Sequence, residues 1–196
     1  MTDSAMTGAM VLPVADLSVI ERAARGDAAA FDDLVVGRVD RIFRLAYGIL
    51  RSEADATDAV QQTFVTAWRG LPRLRDVGRF DAWLGRITVN VCRDELRRRG
   101  RHAIHEIVID DVDAASPQRG DPGTGDPGAH VGRSDSIRRA FATLTADQRA
   151  LLVLHHVDGR SLQDLAAVLA IPVGTAKWRL FAARQALERA LAEEDR

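Results

Sequence analysis

The chain has 196 residues, of which 46% are hydrophobic and 28% are charged, as in globular domains rather than disordered chains. Its net charge of −1 excludes an overall basic field, so any contact with nucleic acid must come from local patches. The single cysteine, Cys92, excludes a disulfide framework within the chain. No apolar run approaches the roughly 20 residues that span a bilayer, so we expect a cytoplasmic protein without membrane insertion.

Helical periodicity begins near Leu17, and signals for β-strands are almost absent. Residues 1–16 lack the basic flank and long apolar segment of a signal peptide, and we predict a loose tail there. A short first helix is interrupted by Gly26, and Asp27 is a plausible N-cap for a helix whose apolar face continues to about Leu50. The pattern predicts an all-α fold.

The next predicted helix runs from Ser52 to Gly70, with Ser52 or Asp55 as its N-cap. One of its faces repeats polar residues and one aliphatic residue at i, i+3, i+4 and i+7: Asp58, Gln61, Gln62 and Val65. Such a face suits either solvent or a protein partner, and the pattern alone leaves both interpretations open.

The segment from Phe80 to Arg101 is predicted to be a helix with two separate stripes. The apolar stripe consists of Phe80, Leu84, Ile87 and Val91. The second stripe, about 120° round the helix, consists of Arg86, Asn90, Arg93 and Arg97. Six arginines against three acidic residues give the segment a local charge of +3. Guanidinium and amide groups hold phosphates and hydrogen-bond to base edges, although a solvated helix face has the same pattern.

The loop over 70–79 is basic through Arg73, Arg75 and Arg79, so loop and helix together predict one continuous positive surface. Trp83 stands beside the apolar stripe of the helix. Its indole is either a core anchor or a platform on which a base could stack, and the sequence leaves both open.

Residues 103–133 differ sharply in composition from both flanks. Between 104 and 132 there are six acidic residues against one arginine, together with the run GDPGTGDPG. Proline and glycine at this density cannot sustain a helix, and the apolar content cannot support a core. We therefore predict a flexible acidic linker that separates a first domain, 17–102, from a second, 134–196.

The second domain carries several helix signals. Thr145 and Gln148 form the pattern of a capping box, and Ser161 with Asp164 repeats a similar signal. Pro172 is well placed to open the last helix. Two helices of this length joined by a short turn predict a helix-turn-helix. Trp178 is predicted to face solvent as part of a contact surface, with folding back onto the preceding helices as the alternative.

Three stretches resemble motifs of one family. DATDAVQQTF (Asp55 to Phe64) is similar to the core-binding motif of extracytoplasmic-function (ECF) sigma factors, the small two-domain members of the sigma-70 family. FDAWLGRITVNVCRDELRRRGR resembles their −10 recognition helix, and SLQDLAAVLAIPVGTAKWRLFAARQAL resembles their −35 helix-turn-helix. The three motifs occur in the family's order and spacing, over 17–102 and 134–192.

The resemblance implies a sigma-2-like helical bundle and a sigma-4-like helix-turn-helix, with no covalent chemistry, no cofactor and no metal. The implied partners are core RNA polymerase, promoter DNA and an anti-sigma factor, and outside these complexes the chain would be a monomer. Core polymerase would be bound by Asp55, Asp58, Gln61, Gln62 and Val65. The linker would thread toward the polymerase active-site cleft.

The DNA contacts implied by the resemblance form two sets. The −10 set comprises Arg73, Arg75, Arg79, Trp83, Arg86, Asn90, Arg93 and Arg97, in which Asn90 would read a base and the loop would hold a flipped base. The −35 set comprises Thr175, Lys177, Trp178, Arg179, Phe181 and Arg184.

Three residues depart from the family pattern. Ala170 replaces the usual glycine of the turn, which would cost on the order of 1 kcal/mol at positive φ. Trp178 replaces a small polar residue, and Ala182 stands where relatives often have arginine. The last two predict a −35 element that is read by apolar contact, for instance with a thymine methyl group, rather than by an arginine–guanine pair.

Two other classes of protein compete with this interpretation. A stand-alone helix-turn-helix regulator would explain the second domain, but not the basic loop and helix of the first. An enzyme is disfavoured because no histidine spacing matches a zinc site and no phosphate loop or nucleophile motif is present. Cys92 likewise has no ligand partner nearby in sequence.

Overall fold

The computed structural model describes residues 14–109 and 131–194, and within these ranges every regular element is helical, which confirms the predicted all-α fold. The helices are α1 (Val14–Ala24), α2 (Ala28–Val36), α3 (Val39–Leu50), α4 (Glu53–Gly70), α5 (Phe80–Ile109), α6 (Val131–Thr143), α7 (Ala146–Leu152), α8 (Leu162–Leu169) and α9 (Val173–Glu194). A π-helical turn, Val153–Val157, continues α7, and two short 3₁₀ turns precede α5.

Short-range signals in the sequence set most of the helix starts. Asp27 accepts a hydrogen bond from the backbone N–H of Ala30 at 3.1 Å and so caps α2, as predicted. Ser52 rather than Asp55 caps α4, since its hydroxyl oxygen accepts from the Asp55 N–H at 3.4 Å. Each cap satisfies a backbone donor that has no partner within its helix.

Four boundaries differ from the prediction. The chain breaks at Arg38, so the single helix expected to reach Leu50 is two helices, α2 and α3. Helix α1 begins inside the predicted tail, and α5 and α6 extend into the predicted linker. No proline or glycine stands between 101 and 109, so α5 can propagate there at little cost. The rest of the tail (1–13) and of the linker (110–130) lies outside the described residues.

We call α1 to α5 the first half of the chain and α6 to α9 the second half. The core of the first half forms where α1 to α4 meet the start of α5. Phe80 and Leu84 are fully buried, as their stripe predicts, whereas Ile87 and Val91 are only partly buried. Val89 and Cys92 are buried more deeply than those two residues. Helix α5 therefore buries a second face, which the predicted stripe does not include.

The second half contains the predicted helix-turn-helix, and both capping boxes are present. Helices α8 and α9 are bent by 100° across the turn, within the range of this motif. Ala170 occupies the turn at φ +53° and ψ +47°, the left-handed conformation that favours glycine. Within the described ranges no single helix has both the length and the hydropathy of a bilayer span; α8 and α9 pass these limits only as a bent pair.

The two halves pack directly against each other and share one buried cluster. Helices α3 and α5 of the first half meet α7 and α8 of the second. Two glycines allow the close approach: a methyl group at Gly48 would lie 2.5 Å from Cγ2 of Val153, and one at Gly85 would lie 3.3 Å from Cγ2 of Val168. The two predicted domains are therefore in contact, which their sequences alone do not indicate.

Candidate polymerase and DNA interfaces

The outer face of α4 presents most of the residues predicted to bind polymerase. The opposite face of this helix is anchored in the core by Ala56, Phe64 and Ala67. The predicted residues that are exposed on the outer face are Asp58, Gln61, Gln62 and Val65. Val65 is 43% exposed, an aliphatic side chain within a polar surface. The helix thus presents a mostly polar patch with one apolar contact point.

Asp55 does not belong to this open face. Its carboxylate forms an ion pair with Arg99 of α5, and its side chain is only 19% exposed. The pair fixes the first turn of α4 against the distal part of α5. The structure therefore places Asp55 at a helix–helix contact, apart from Asp58 and the rest of the predicted set.

The basic loop before α5 is built from two 3₁₀ turns, Leu71–Arg73 and Val77–Arg79. Leu71 is fully buried and anchors the loop, while Arg73, Arg75 and Arg79 are exposed. Asp76 accepts from the Gly78 N–H at 3.0 Å and pairs with Arg79 at 3.2 Å. The loop is thus anchored by a buried leucine and presents three arginine side chains at the surface.

On α5 the predicted polar stripe is exposed along most of its length. Arg86, Asn90 and Arg97 face solvent. Arg97 pairs with Asp94 of the same helix. Arg93 is 28% exposed, lies 3.5 Å from Oδ1 of Asn90, and donates to Asp147 of α7 at 2.8 Å. The structure therefore brings these four residues together, but it engages Arg93 with the other half of the chain.

Trp83 lies at the junction of loop and helix. Its ring centroid is 5.9 Å from that of Phe80, and a methyl group at Gly70 would lie 3.0 Å from the indole. The side chain is half-buried. One part of the indole therefore anchors the start of α5, and another part stays accessible.

A buried charge cluster that sequence reasoning missed holds the first turn of α5. The Asp81 carboxylate accepts from Arg38 Nε and from Arg41 Nη2, each at 2.9 Å. Burial acts to raise the pKa of Asp81, but the Arg41 and Arg38 guanidinium groups outweigh it and hold the pKa below its usual value. These partners are 43 and 40 residues away, so spacing in the sequence carries no signal for them.

Helix α9 presents an apolar and cationic surface. Its inner stripe of Ala176, Leu180 and Ala183 is buried, and Trp178 and Phe181 are 68% and 57% exposed. The indole thus faces solvent rather than folding back. Of the other residues predicted to contact the −35 element, Lys177 and Arg184 are exposed and Thr175 and Arg179 are half-buried.

Arg184 lies about 120° round α9 from Trp178, on a different face. Its Nε is 3.1 Å from Nε2 of His156. Burial first, and then the Arg184 charge, lower the pKa of His156. The two side chains border an apolar groove of about 390 Å³ between α6, the π-helical turn and α9. Arg184 thus lies on the same side of α9 as Lys177, seven residues earlier, but away from Trp178.

Two observations concern metal binding and the reactivity of the single cysteine. Among residues 14–109 and 131–194, no group of three or more histidine, cysteine or acidic side chains could hold a metal ion. Cys92 is buried, and burial together with Glu95 raises the pKa of its thiol to about 12. Its thiolate population at neutral pH is therefore negligible.

Comparison with known proteins identifies both halves. Residues 34–102 match the family model of sigma-70 region 2, and residues 134–187 match that of sigma-70 region 4. The chain is 31% identical over 180 residues to RNA polymerase sigma-H factor of Pseudomonas aeruginosa, covering 90% of this chain and 93% of that protein. It is 32% identical over 182 residues to the ECF RNA polymerase sigma-E factor of Escherichia coli, covering 88% and 92%.

The solved structure of the sigma factor RpoE with the anti-sigma factor NepR from Bartonella quintana is also similar. Its TM-score is 0.63 at 25% identity, with 83% of this chain and 96% of that chain covered. The two region models match the chain in the order that the sequence motifs predict. The chain therefore belongs to the sigma-70 family, within its extracytoplasmic-function group of RNA polymerase sigma factors.

Proposed function

We propose that this chain binds core RNA polymerase, directs it to promoters with specific −10 and −35 elements, and promotes melting of the DNA at the start site. One observation carries the proposal: the two halves that match sigma-70 regions 2 and 4 each present an exposed surface with the chemistry of a DNA contact. The first is the basic loop with the polar stripe of α5. The second is the cationic and aromatic face of α9.

Core polymerase binds the outer face of α4 in this proposal. Asp58, Gln61 and Gln62 supply carboxylate and amide groups, and Val65 supplies an apolar contact within them. Asp55 acts indirectly, because its ion pair with Arg99 joins the first turn of α4 to α5. The pair thereby links the helix of the polymerase surface to the helix of the −10 surface.

Recognition of the −10 element uses melted DNA. Asn90 offers an amide that can pair with a base edge, and Arg86, Arg93 and Arg97 hold the backbone phosphates. Flipping a base out of the stack costs a few kcal/mol, and stacking on an aromatic platform returns about 1–3 kcal/mol. In this proposal the loop over 71–79 and the accessible part of Trp83 hold the flipped base and so keep the strand open.

Recognition of the −35 element uses duplex DNA. Helix α9 lies in the major groove, as recognition helices of this motif do, with Lys177 beside the backbone. Trp178 and Phe181 contact thymine methyl groups, since the major groove of an A·T pair presents that methyl. Arg184 faces the apolar groove and contributes less to base readout than its place in the family motif implies.

We further propose a cytoplasmic protein that acts by binding and not as an enzyme, under the control of an anti-sigma factor. The complex of RpoE with NepR supports that partner class. A stand-alone regulator is the rival, and the order of the two sigma regions does not favour it.

Run-off transcription tests the proposal. Purified core polymerase is mixed with the chain and with templates that carry candidate promoters, beginning with the one upstream of its own gene. Discrete transcripts that require both proteins are expected. Tight, specific binding of duplex promoter DNA by the chain alone, without any transcript when core polymerase is added, would establish the stand-alone regulator instead.

A further inference from the structure

A polar cleft of about 300 Å³ lies where the two halves of the chain meet. One wall consists of the end of the basic loop and the first turn of α5, with Arg79 and Asp81. The other wall consists of the turn before α8 and the exposed side of that helix, with Asp158, Arg160 and Ala167. Pockets that hold small molecules begin at about this volume, so the cleft has the size for a small ligand.

Backbone hydrogen bonds fix the turn that precedes α8. The N–H of Asp158 donates to the carbonyl of Val153 at 3.0 Å, and the N–H of Arg160 donates to that of Leu154 at 2.9 Å. Gly159 between them has φ +64°, a left-handed conformation that glycine adopts at little cost. The local backbone therefore places the two charged side chains of this turn independently of any ligand.

Each of these two side chains has a buried polar atom without a partner. The Asp158 side chain is 2% exposed, and Arg160 is 9% exposed. Among the residues that the structure describes, Oδ1 of Asp158 and Nε of Arg160 have no hydrogen-bond partner. Buried polar groups without hydrogen bonds lower the stability of a fold, so both atoms favour a ligand that supplies partners.

The two buried carboxylates of the cleft differ in how well their charge is compensated. Burial acts to raise the pKa of Asp81, but hydrogen-bonded Arg41 and Arg38 hold it below its usual value. Asp158 has only a longer contact, 3.7 Å from Nε of Arg41 to its Oδ2. Burial therefore raises the pKa of Asp158 despite the nearby arginines. A cationic donor would stabilise this carboxylate.

Arg160 has the opposite requirement. Its Nη2 is 3.5 Å from the backbone carbonyl of Asp81, which is the outer limit of a hydrogen bond. Burial first, and then repulsion from Arg41, lower the pKa of the Arg160 guanidinium. An anionic acceptor would stabilise its charged form. Two residues of one turn thus offer a carboxylate that needs a cation and a guanidinium that needs an anion.

We propose that this cleft binds a zwitterionic α-amino acid, whose ammonium group donates to Oδ1 of Asp158 and whose carboxylate accepts from Nε of Arg160. An α-amino acid carries both charges on one carbon atom, which suits two binding groups of a single turn. The volume of about 300 Å³ leaves room for a side chain beside them. The inference does not rest on the proposed function, because neither Asp158 nor Arg160 belongs to the assigned polymerase or DNA contacts.

Calorimetric titration and thermal unfolding of the full chain test the proposal. The probes are the common L-α-amino acids, used one at a time at millimolar concentration. We expect at least one of them to bind saturably and to raise the Tm, because a ligand that binds only the folded chain stabilises it. Failure of every amino acid to bind would overturn the proposal.

Analogues of the tightest-binding amino acid test the two charged contacts separately. The amine that lacks its carboxyl group and the acid that lacks its amino group should each bind at least tenfold more weakly than the parent. The same loss is expected for the parent with Asp158→Asn, because a carboxamide does not compensate an ammonium charge. An analogue that binds as tightly as the parent would show that the zwitterion is not what the cleft recognises.

A variant that fills the cleft keeps the test decisive if Asp158→Asn does not fold. Ala167→Leu adds bulk to the wall formed by α8 at an exposed position, without removing a charged group. Ala142→Leu is the matched control, because Ala142 is exposed on α6 and does not line the cleft. We expect Ala167→Leu to bind the amino acid at least tenfold more weakly than the control. Equal binding by the two variants would place the ligand elsewhere and overturn the proposal.

Discussion

Arg93 of α5 and Asp147 of α7 form an ion pair at 2.8 Å that joins the two halves of the chain. In the proposed function the Arg93 guanidinium holds a phosphate of the −10 strand. A carboxylate and a phosphate both offer a guanidinium two acceptor oxygens, so Asp147 and the phosphate proposed for Arg93 would compete for the same donor groups. Arg93 can therefore serve the contact between the two halves or the proposed DNA contact, but not both at once.

Replacing Asp147 by asparagine is expected to free the Arg93 guanidinium for the −10 strand. The pair is partly exposed, and pairs of this kind contribute about 0.2–1 kcal/mol, so the apparent affinity of the holoenzyme for promoter DNA should rise by no more than about fivefold. The gain relative to wild type should shrink as salt rises, because salt screens exposed charges. Fluorescence titration of the holoenzyme with promoter DNA at two salt concentrations measures both effects.

The matched control for this variant is Asp135→Asn in α6. It removes the same charge from the same half, but Asp135 pairs with Arg138 of its own helix. The affinity of its holoenzyme for promoter DNA should equal that of wild type. Equal gains in the two variants would show that net charge, rather than the Arg93–Asp147 contact, is responsible.

Signals that act within three or four residues were readable from the sequence. The Asp27 cap, the Thr145 capping box and the exposed Trp178 all depend on hydrogen bonds or periodicity inside one helix. The polar stripe of α5 was readable for the same reason, since helical spacing alone places Arg86 and Asn90 on one face.

Features that depend on distant partners were not readable. Asp81 in a first helical turn predicts only a dipole contact, and its pairing with Arg38 arises from tertiary packing. Gly48 and Gly85 look like weak points of their helices, whereas they are the positions where the two halves approach. The composition of 103–133 predicts a linker, but it carries no information on whether the two halves touch, because that depends on the shapes of their surfaces.

Trp178→Ala is expected to weaken recognition of the −35 element while sparing core binding. The exposed indole is the largest apolar group on the outer face of α9, and the loss of one base contact costs about 1–3 kcal/mol. The affinity of the holoenzyme for a −35-dependent template should therefore fall by about 5- to 150-fold. Footprinting with wild-type and scrambled −35 elements measures it.

Ile137→Ala is the control for the tryptophan variant, because Ile137 is also an exposed apolar residue of the second half, 46% exposed, but lies on α6. Its promoter occupancy should stay at the wild-type level. Equal activity of Trp178→Ala and wild type on a −35-dependent promoter would refute the assigned contact.

Ala170→Gly is expected to stabilise the protein. Ala170 has φ +53°, and a non-glycine residue in the left-handed region destabilises the folded state by about 1–2 kcal/mol. Glycine relieves this strain, but it also raises the conformational entropy of the unfolded chain, which costs about 0.4–1 kcal/mol of stability. The net gain of roughly 0.5–1 kcal/mol corresponds to a Tm increase of about 2–3 °C, measured by calorimetry. Ala142→Gly, on the exposed side of α6, should instead lower the Tm, and a decrease in both variants would contradict the strain argument.

Asp81→Asn is expected to destabilise the fold by about 3–5 kcal/mol at pH 7, because it leaves the buried Arg38 guanidinium without a counter-charge. The pKa of Asp81 is lowered in the folded protein, so its stabilisation is complete above the ordinary value of 3.8 and is lost as pH falls below it. The difference between variant and wild type in denaturant unfolding should therefore narrow toward pH 2.5. Asp94→Asn on the same helix is the control, since the Asp94 side chain is 67% exposed and should show a small, nearly constant difference. If the loss of unfolding free energy in Asp81→Asn is as large at pH 2.5 as at pH 7, side-chain packing rather than the charge of Asp81 stabilises the first turn of α5.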